Sequence, residues 1–164
     1  MTAQEIETID PHDQPTFNAL LALNNLHASE LSFLTPERFD HLLAQSFWSR
    51  RIATHAFILT FDQNADYDSP NYLWFHARYP RFIYIDRVVV AASGRGHGLA
   101  RRLYESLFAA ARAAAHDHVV CEVNADPPNP ASDAFHASMR FSEIGSAHIH
   151  AGTKLVRYFA HDLC

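Results

Sequence analysis

The 164-residue chain carries 13 Lys and Arg against 18 Asp and Glu, a formal net charge of -5, and 48% of it is apolar. That length suits a single domain over residues 1–164 with a real core, and the acidic balance argues against the broad basic surface that sequence-independent nucleic-acid binding needs. Cys121, in an apolar run, and Cys164 form neither a disulfide framework nor a CxxC metal pair, and neither an apolar leader nor a run of ~20 apolar residues is evident, so the expectation is a cytoplasmic chain with no membrane or nucleic-acid partner.

Taken in chain order, Glu5 to Ile9 reads as a short strand ending at Asp10-Pro11, and Pro15 opens a helical pattern of Phe17, Leu20, Leu21 and Leu23. Thr35-Pro36 is an N-cap and first helical position for a helix carrying Phe39, Leu42, Leu43 and Phe47. Strands over Phe47 to Thr54 and Ala56 to Phe61 precede a polar loop from Asp62 to Pro70. Asn71 to Tyr79 is aromatic and fits either helix or strand. Arg81 to Ala91 is a strand, because three consecutive valines suit a pleated interior and disfavour helix. Gly94, Gly96 and Gly98 then place three of the five glycines within five residues, ahead of an Ala-, Arg- and Leu-rich helix over Leu99 to Ala115. His118 to Asn124 is a second core strand, the turn Asp126-Pro127-Pro128-Asn129-Pro130 leads into a helix from about Ala131 to Met139, and strands over Ser142 to Ala151 and Lys154 to His161 close the chain. The order is mixed α/β.

A strand entering a glycine-rich turn at a helix N-terminus aims several backbone N–H groups and the positive end of the helix dipole at one spot, which suits a phosphate. Glycine lets the backbone approach oxygen atoms that a Cβ would hold off, although an ordinary tight connection uses glycine equally well. A dinucleotide GxGxxG fails in both registers, with Leu99 and Arg101 at the third glycine position, and a Walker A loop fails for want of Gly-Lys-Ser/Thr. What fits is Arg95-Gly96-His97-Gly98-Leu99-Ala100, an R-x-x-G-x-A string after a Val-rich strand.

With that string the sequence resembles the GNAT N-acetyltransferase superfamily, whose pyrophosphate loop is Q/R-x-x-G-x-G/A. Asn129, Ser132, Phe135, His136 and Phe141 are similar to its downstream N-x-x-A-x-x-L-Y-x-x-x-G-F segment, and the resemblance spans roughly Phe82 to Phe159. In this chain His136 replaces the usual tyrosine, Arg140 the glycine and Ala92 a frequent proline. The resemblance implies a central mixed, mostly antiparallel sheet of about six to seven strands flanked by about four helices. It implies acetyl-CoA as cosubstrate, with no metal, and an amine of a small molecule or peptide as acceptor. Arg95, Gly96, His97, Gly98, Leu99, Ala100 and Arg101 would hold the pyrophosphate, Val88, Val89 and Val90 the pantetheine arm and thioester, and Asn129, Ser132 and Phe135 further parts of the cofactor.

A primary amine with a pKa near 10.4 is only about one part in 2,500 neutral at pH 7, so a general base is useful. Asp86 is the candidate, sharing strand parity with Tyr84, Val88 and Val90; its alternative is a plain ion pair with Arg87, Arg78 or Arg81. His136 is the candidate acid for the leaving thiolate. Family layout points to Asn24, Asn25, Glu30, Trp74 and Phe75 on the acceptor side, although Trp74, Phe75 and Tyr79 suit packing better than acceptor contact, because large aromatics mostly fill cores. Asp62, Asn64, Asp66 and Asp68 imitate a calcium loop, but Tyr67 and Leu73 stand where it needs glycine and glutamate. The pairs His148/His150 and His116/His118 lack a third ligand, so no metal is expected. The alternative function is a non-catalytic acyl-CoA-binding sensor or interaction module. A homodimer is the default on base rates.

Overall fold

A computed structural model describes residues 4–29 and 31–164. In chain order the elements are β1 (Ile6–Thr8), α1 (Gln14–Leu26), α2 (Pro36–Gln45), β2 (Trp48–Ile52), β3 (Ala56–Asp62), α3 (Pro70–His76), β4 (Ile83–Val90), a 3-10 turn (Ala92–Gly94), α4 (Leu99–Ala113), β5 (His118–Asn124), α5 (Pro130–Ser138), β6 (Ser142–Ile149) and β7 (Lys154–Asp162). The seven strands stand in the order β1-β2-β3-β4-β5-β7-β6. Neighbours β1/β2, β2/β3, β5/β7 and β7/β6 are antiparallel and β4/β5 is parallel, through Ile83↔Val119 and Tyr84↔Val120. The chain divides into two compact units, Met1–Ala65 with Ile85–Leu107 and Asp66–Tyr84 with Phe108–Cys164.

In the first unit, helix starts follow their capping chemistry. Asp13 accepts from the Thr16 N–H at 3.4 Å and Thr35 from the Arg38 N–H at 3.1 Å, each followed by proline within the first two helical positions. Both helices bury apolar stripes, Phe17, Leu20, Leu21 and Leu23 from α1 and Phe39, Leu42 and Leu43 from α2. The rings of Phe17, Phe39 and Phe57 join them to β3 with centroid spacings of 4.9 and 5.8 Å. Strand β3 is buried from Ala56 to Phe61, which is why its sequence is a continuous apolar run rather than an alternation.

The second unit contains the segment that periodicity leaves open, and it is helical: α3 is a fifth helix beyond the four expected. Seven residues are too few for a helix to stand alone in water. Burial decides the matter, with Tyr72 1% and Phe75 0% exposed in an aromatic core that includes Phe82, Tyr84 and Tyr158. Helices α4 and α5 end alike. His116 N–H reaches Ala111 O and Phe141 N–H reaches His136 O, both at 3.0 Å, around Ala115 at φ 62° and Arg140 at φ 65°. Arg81 Nε and Nη2 also donate to Ala115 O and Ala114 O, the carbonyls just past the end of α4. Among the described residues no helix is long and apolar enough to cross a membrane.

Candidate functional site

The residues singled out in the sequence fall in both units. In the first unit, the turn after β4 is built on three glycines with different reasons for being glycine. Gly94 is a packing position: a Cβ there would stand 2.9 Å from Leu99 Cδ1 and 3.5 Å from Val90 Cγ1. Gly96 and Gly98 are conformational positions, at φ 79° and 70°, and a Cβ on either would meet nothing within 4 Å. Arg95, Gly96, His97 and Gly98 are all exposed, with Leu99 and Ala100 half-buried behind them. His97 Nδ1 lies 3.0 Å from Arg95 O and 3.3 Å from Gly94 O, which ties its ring back onto the turn. The Arg102 N–H closes the first helical bond on Gly98 O at 3.0 Å. The amides of Leu99 and Ala100 ahead of it have no carbonyl within α4 to bind, the arrangement in which a helix start suits an anion.

Strand β4 alternates as its sequence requires: Ile85, Arg87 and Val89 are buried, Asp86, Val88 and Val90 half-buried. Asp86 is not an open carboxylate. Its side chain is 4% exposed and its Oδ2 accepts from Arg87 Nε at 2.7 Å, the ion pair that the sequence allowed as the alternative to a base. Arg87 Nη1 also donates to Asn24 Oδ1 at 2.9 Å, and Nη2 to Ser32 Oγ at 3.1 Å. Asn24, 0% exposed, and Asn25, half-buried, make internal hydrogen bonds. Glu30 lies outside the described residues.

In the second unit, Asn129 caps α5, its Oδ1 accepting from the Ser132 N–H at 3.2 Å. His136, 6% exposed, has Nδ1 2.8 Å from Ser132 O and 3.3 Å from Ser132 Oγ. A carbonyl can only accept, so the neutral ring keeps its proton on Nδ1. Burial pushes this imidazole below its usual pKa, against the opposing pull of the Ser132 carbonyl and the Asp133 charge. A neutral ring with that proton committed is poorly set up as the acid expected of it. Phe135 is half-buried on the same helix, its ring 5.3 Å from that of His136.

Trp74 and Phe75 are packing residues. Phe75 is fully buried, and the Trp74 ring stacks on Tyr158 at 4.2 Å with Arg78 over its other face at 3.8 Å. The same region holds a carboxylate that sequence reading passed over. Glu122 on β5 is half-buried, opposite Tyr158 in the β5/β7 register, and accepts a hydrogen bond from the Tyr84 hydroxyl at 2.7 Å. Burial first, then the Glu122 charge, raises the Tyr158 phenol to about 12, and its hydroxyl donates to Asn71 Oδ1 at 2.9 Å. The available signal was a lone acidic residue in the apolar strand His-Val-Val-Cys-Glu-Val-Asn. Among the described residues no group of three His, Cys, Asp or Glu side chains is placed to hold a metal ion.

Residues 66–141 match the family model described as Acetyltransferase (GNAT) family. No curated protein matches the sequence. Among solved structures the chain is similar to one of the NatC complex bound to Gag peptide and CoA, at 16% identity over 99% of this chain and 100% of that one, with a TM-score of 0.74. An N-acetyltransferase from Staphylococcus aureus Mu50 aligns at 19% identity over 99% and 100% of the two chains, TM-score 0.71. The ribosomal-protein-alanine N-acetyltransferase from Brucella melitensis aligns at 20% over 96% and 99%, TM-score 0.71. At these identities the structural likeness establishes the fold.

Proposed function

We propose that the chain is an acetyl-CoA-dependent N-acetyltransferase of the GNAT superfamily, a reading supported by the match of residues 66–141 to that family's model and by the fold. Acetyl moves to a primary amine of a peptide or small molecule by direct attack of the amine on the thioester in a ternary complex. The observation that carries this reading is the exposed turn from Arg95 to Arg101, where Gly96 and Gly98 are left-handed, open above their Cα atoms, and followed at once by α4. The turn's backbone and the start of α4 hold the pyrophosphate. Val88 and Val90 present backbone groups to the pantetheine arm, and an N–H of this stretch polarises the thioester carbonyl as the oxyanion develops. Asn129, Ser132 and Phe135 of α5 retain the cofactor role that the resemblance implies.

The amine must lose a proton, and a carboxylate is the natural recipient. Each unit offers one, Asp86 and Glu122. Asp86 is paired with a buried cation, Arg87, whereas the hydrogen bond to Glu122 comes from a neutral phenol, Tyr84, so Glu122 is the preferred base. Peptide acceptors are favoured over free metabolites by the structural relatives, one bound to a Gag peptide and one named for a ribosomal-protein alanine. The engagement of both Asp86 and His136 favours one second reading, an acyl-CoA-binding module without turnover.

Calorimetric titration with acetyl-CoA, for the wild type and for Gly98→Asp, tests the turn. Micromolar binding is expected, lost by at least about tenfold in the variant, whose Cβ and carboxylate enter the anion position. Release of CoA that requires an added peptide amine then separates the enzyme from the module. An absence of acetyl-CoA binding removes both readings.

A further inference from the structure

We propose that the Asp86–Arg87 pair is a positioning device that fixes Asn24, Asn25, Ser32 and Leu34 against β4 beside Val88–Val90, and so sets where the amine acceptor stands; this rests on the function proposed above. Arg87 is 6% exposed. Removing a guanidinium from water is costly unless its donors are met, and among the described residues they meet Asp86 Oδ2 at 2.7 Å, Asn24 Oδ1 at 2.9 Å, Ser32 Oγ at 3.1 Å and Ser32 O at 3.4 Å. Only the first comes from the strand itself. The other three bring in the end of α1 and the irregular segment after it.

The bonding continues outward from Arg87. Asn24 Nδ2 donates to Ser32 O and to Asn25 Oδ1, each at 3.0 Å, and Asn25 holds Leu34 at both backbone groups, donating to its carbonyl at 3.0 Å and accepting from its N–H at 2.9 Å. Polar anchors act here together with the burial of Asn24 and Leu34, in a stretch where Leu26 is 81% and Phe33 67% exposed. Holding an irregular backbone costs conformational entropy, and the residues bonded here offset part of that cost through a buried cation on the strand proposed to hold the thioester. An amine in attack position lies ~3–3.5 Å from the thioester carbon, so a segment bonded to residue 87 borders the acceptor of a thioester held at residues 88–90. Asp86 is then an anchor that neutralises Arg87 and sets the direction of its fork.

The test uses the full chain with acetyl-CoA and a peptide bearing a free amino-terminal alanine, following CoA release and amide hydrogen exchange. Asn24→Ala combined with Ser32→Ala keeps the Asp86–Arg87 pair and so protects the fold; Arg87→Met and Asp86→Asn complete the set. The expected result is a peptide KM raised by about tenfold in each, kcat lowered by less than about threefold, acetyl-CoA affinity within about twofold, and an unchanged shape of the pH profile. Amides of residues 31–34 exchange at least about tenfold faster. The proposal is overturned if the double variant leaves both KM and exchange unchanged, or if Asp86→Asn removes the acidic limb of kcat at constant KM, which makes Asp86 the base. A wild type that binds no acetyl-CoA, or releases no CoA with the peptide, counts against the proposed function; unchanged exchange in the variants then overturns the anchoring on its own.

Discussion

The Trp74 indole lies against the backbone of Gly145, so close that a Cβ on residue 145 would stand 2.7 Å from Cζ2 and 2.9 Å from Cη2. Trp74 cannot easily retreat, because Tyr158 is stacked on it at 4.2 Å and Arg78 lies over it at 3.8 Å. Gly145 also follows the register irregularity between Glu143 and Gly145 in β6. Overpacking of this kind costs ~1–3 kcal/mol. Gly145→Ala is therefore expected to lower the urea midpoint by that equivalent, and combination with Trp74→Phe, which removes the intruding ring atoms, recovers part of the loss. Additive losses in the double variant would show that the contact does not cause the effect.

A second expectation concerns a residue that departs from the family pattern. Arg140 occupies the left-handed position at the end of α5, φ 65°, while both bonds of the terminating motif form, Phe141 N–H to His136 O and Arg140 N–H to Ala137 O. A non-glycine residue there bears a strain of ~1–2 kcal/mol, partly offset by the extra freedom glycine has in the unfolded chain. Arg140→Gly should stabilise the protein by about 0.5–1 kcal/mol, a rise in Tm of roughly 1–4 °C. A lowered Tm would mean that the exposed Arg140 side chain makes a contribution larger than the strain.

The third expectation is pH-dependent. His136 and His161 are buried, and burial lowers both below the usual imidazole pKa despite the carbonyls of Ser132 and Met139 that hold their Nδ1 atoms. His161 also stacks on Phe108 at 3.9 Å with the rings parallel. The unfolded chain, with imidazoles near 6.5, takes up protons before the folded chain does. Stability is therefore complete above about pH 6.5 and is lost as pH falls from there toward the lowered folded values. Urea midpoints between pH 7.5 and 5.5 check this: the wild type should decline, and His161→Gln should decline less steeply. Equal slopes would exclude His161 as a contributor.

Local chemistry wrote much of this fold into the chain. Proline at a first helical position after Thr35, three valines in a row before a glycine cluster, and Asn129 ahead of Pro130 each act within a few residues, so their elements begin where the sequence says they should. The turn from Arg95 to Arg101 was legible for the same reason, since left-handed backbone at residues 96 and 98 is a property that glycine itself permits.

Tertiary structure decided whatever depended on a distant partner. Helix α3 was ambiguous because only the burial of Tyr72 and Phe75 among aromatic residues far along the chain makes seven residues helical. Glu122 became visible as a candidate base when Tyr84, 38 residues away, donated to it. Asp86 had three arginines within reach in sequence, and the fold selected Arg87 by surrounding its guanidinium with Asn24 and Ser32 as well. The sequence by itself determined where the backbone can turn left-handed and where a helix follows at once. The charge partners, Arg87 for Asp86 among them, were set by packing, because an ion pair depends on distance in space and on burial.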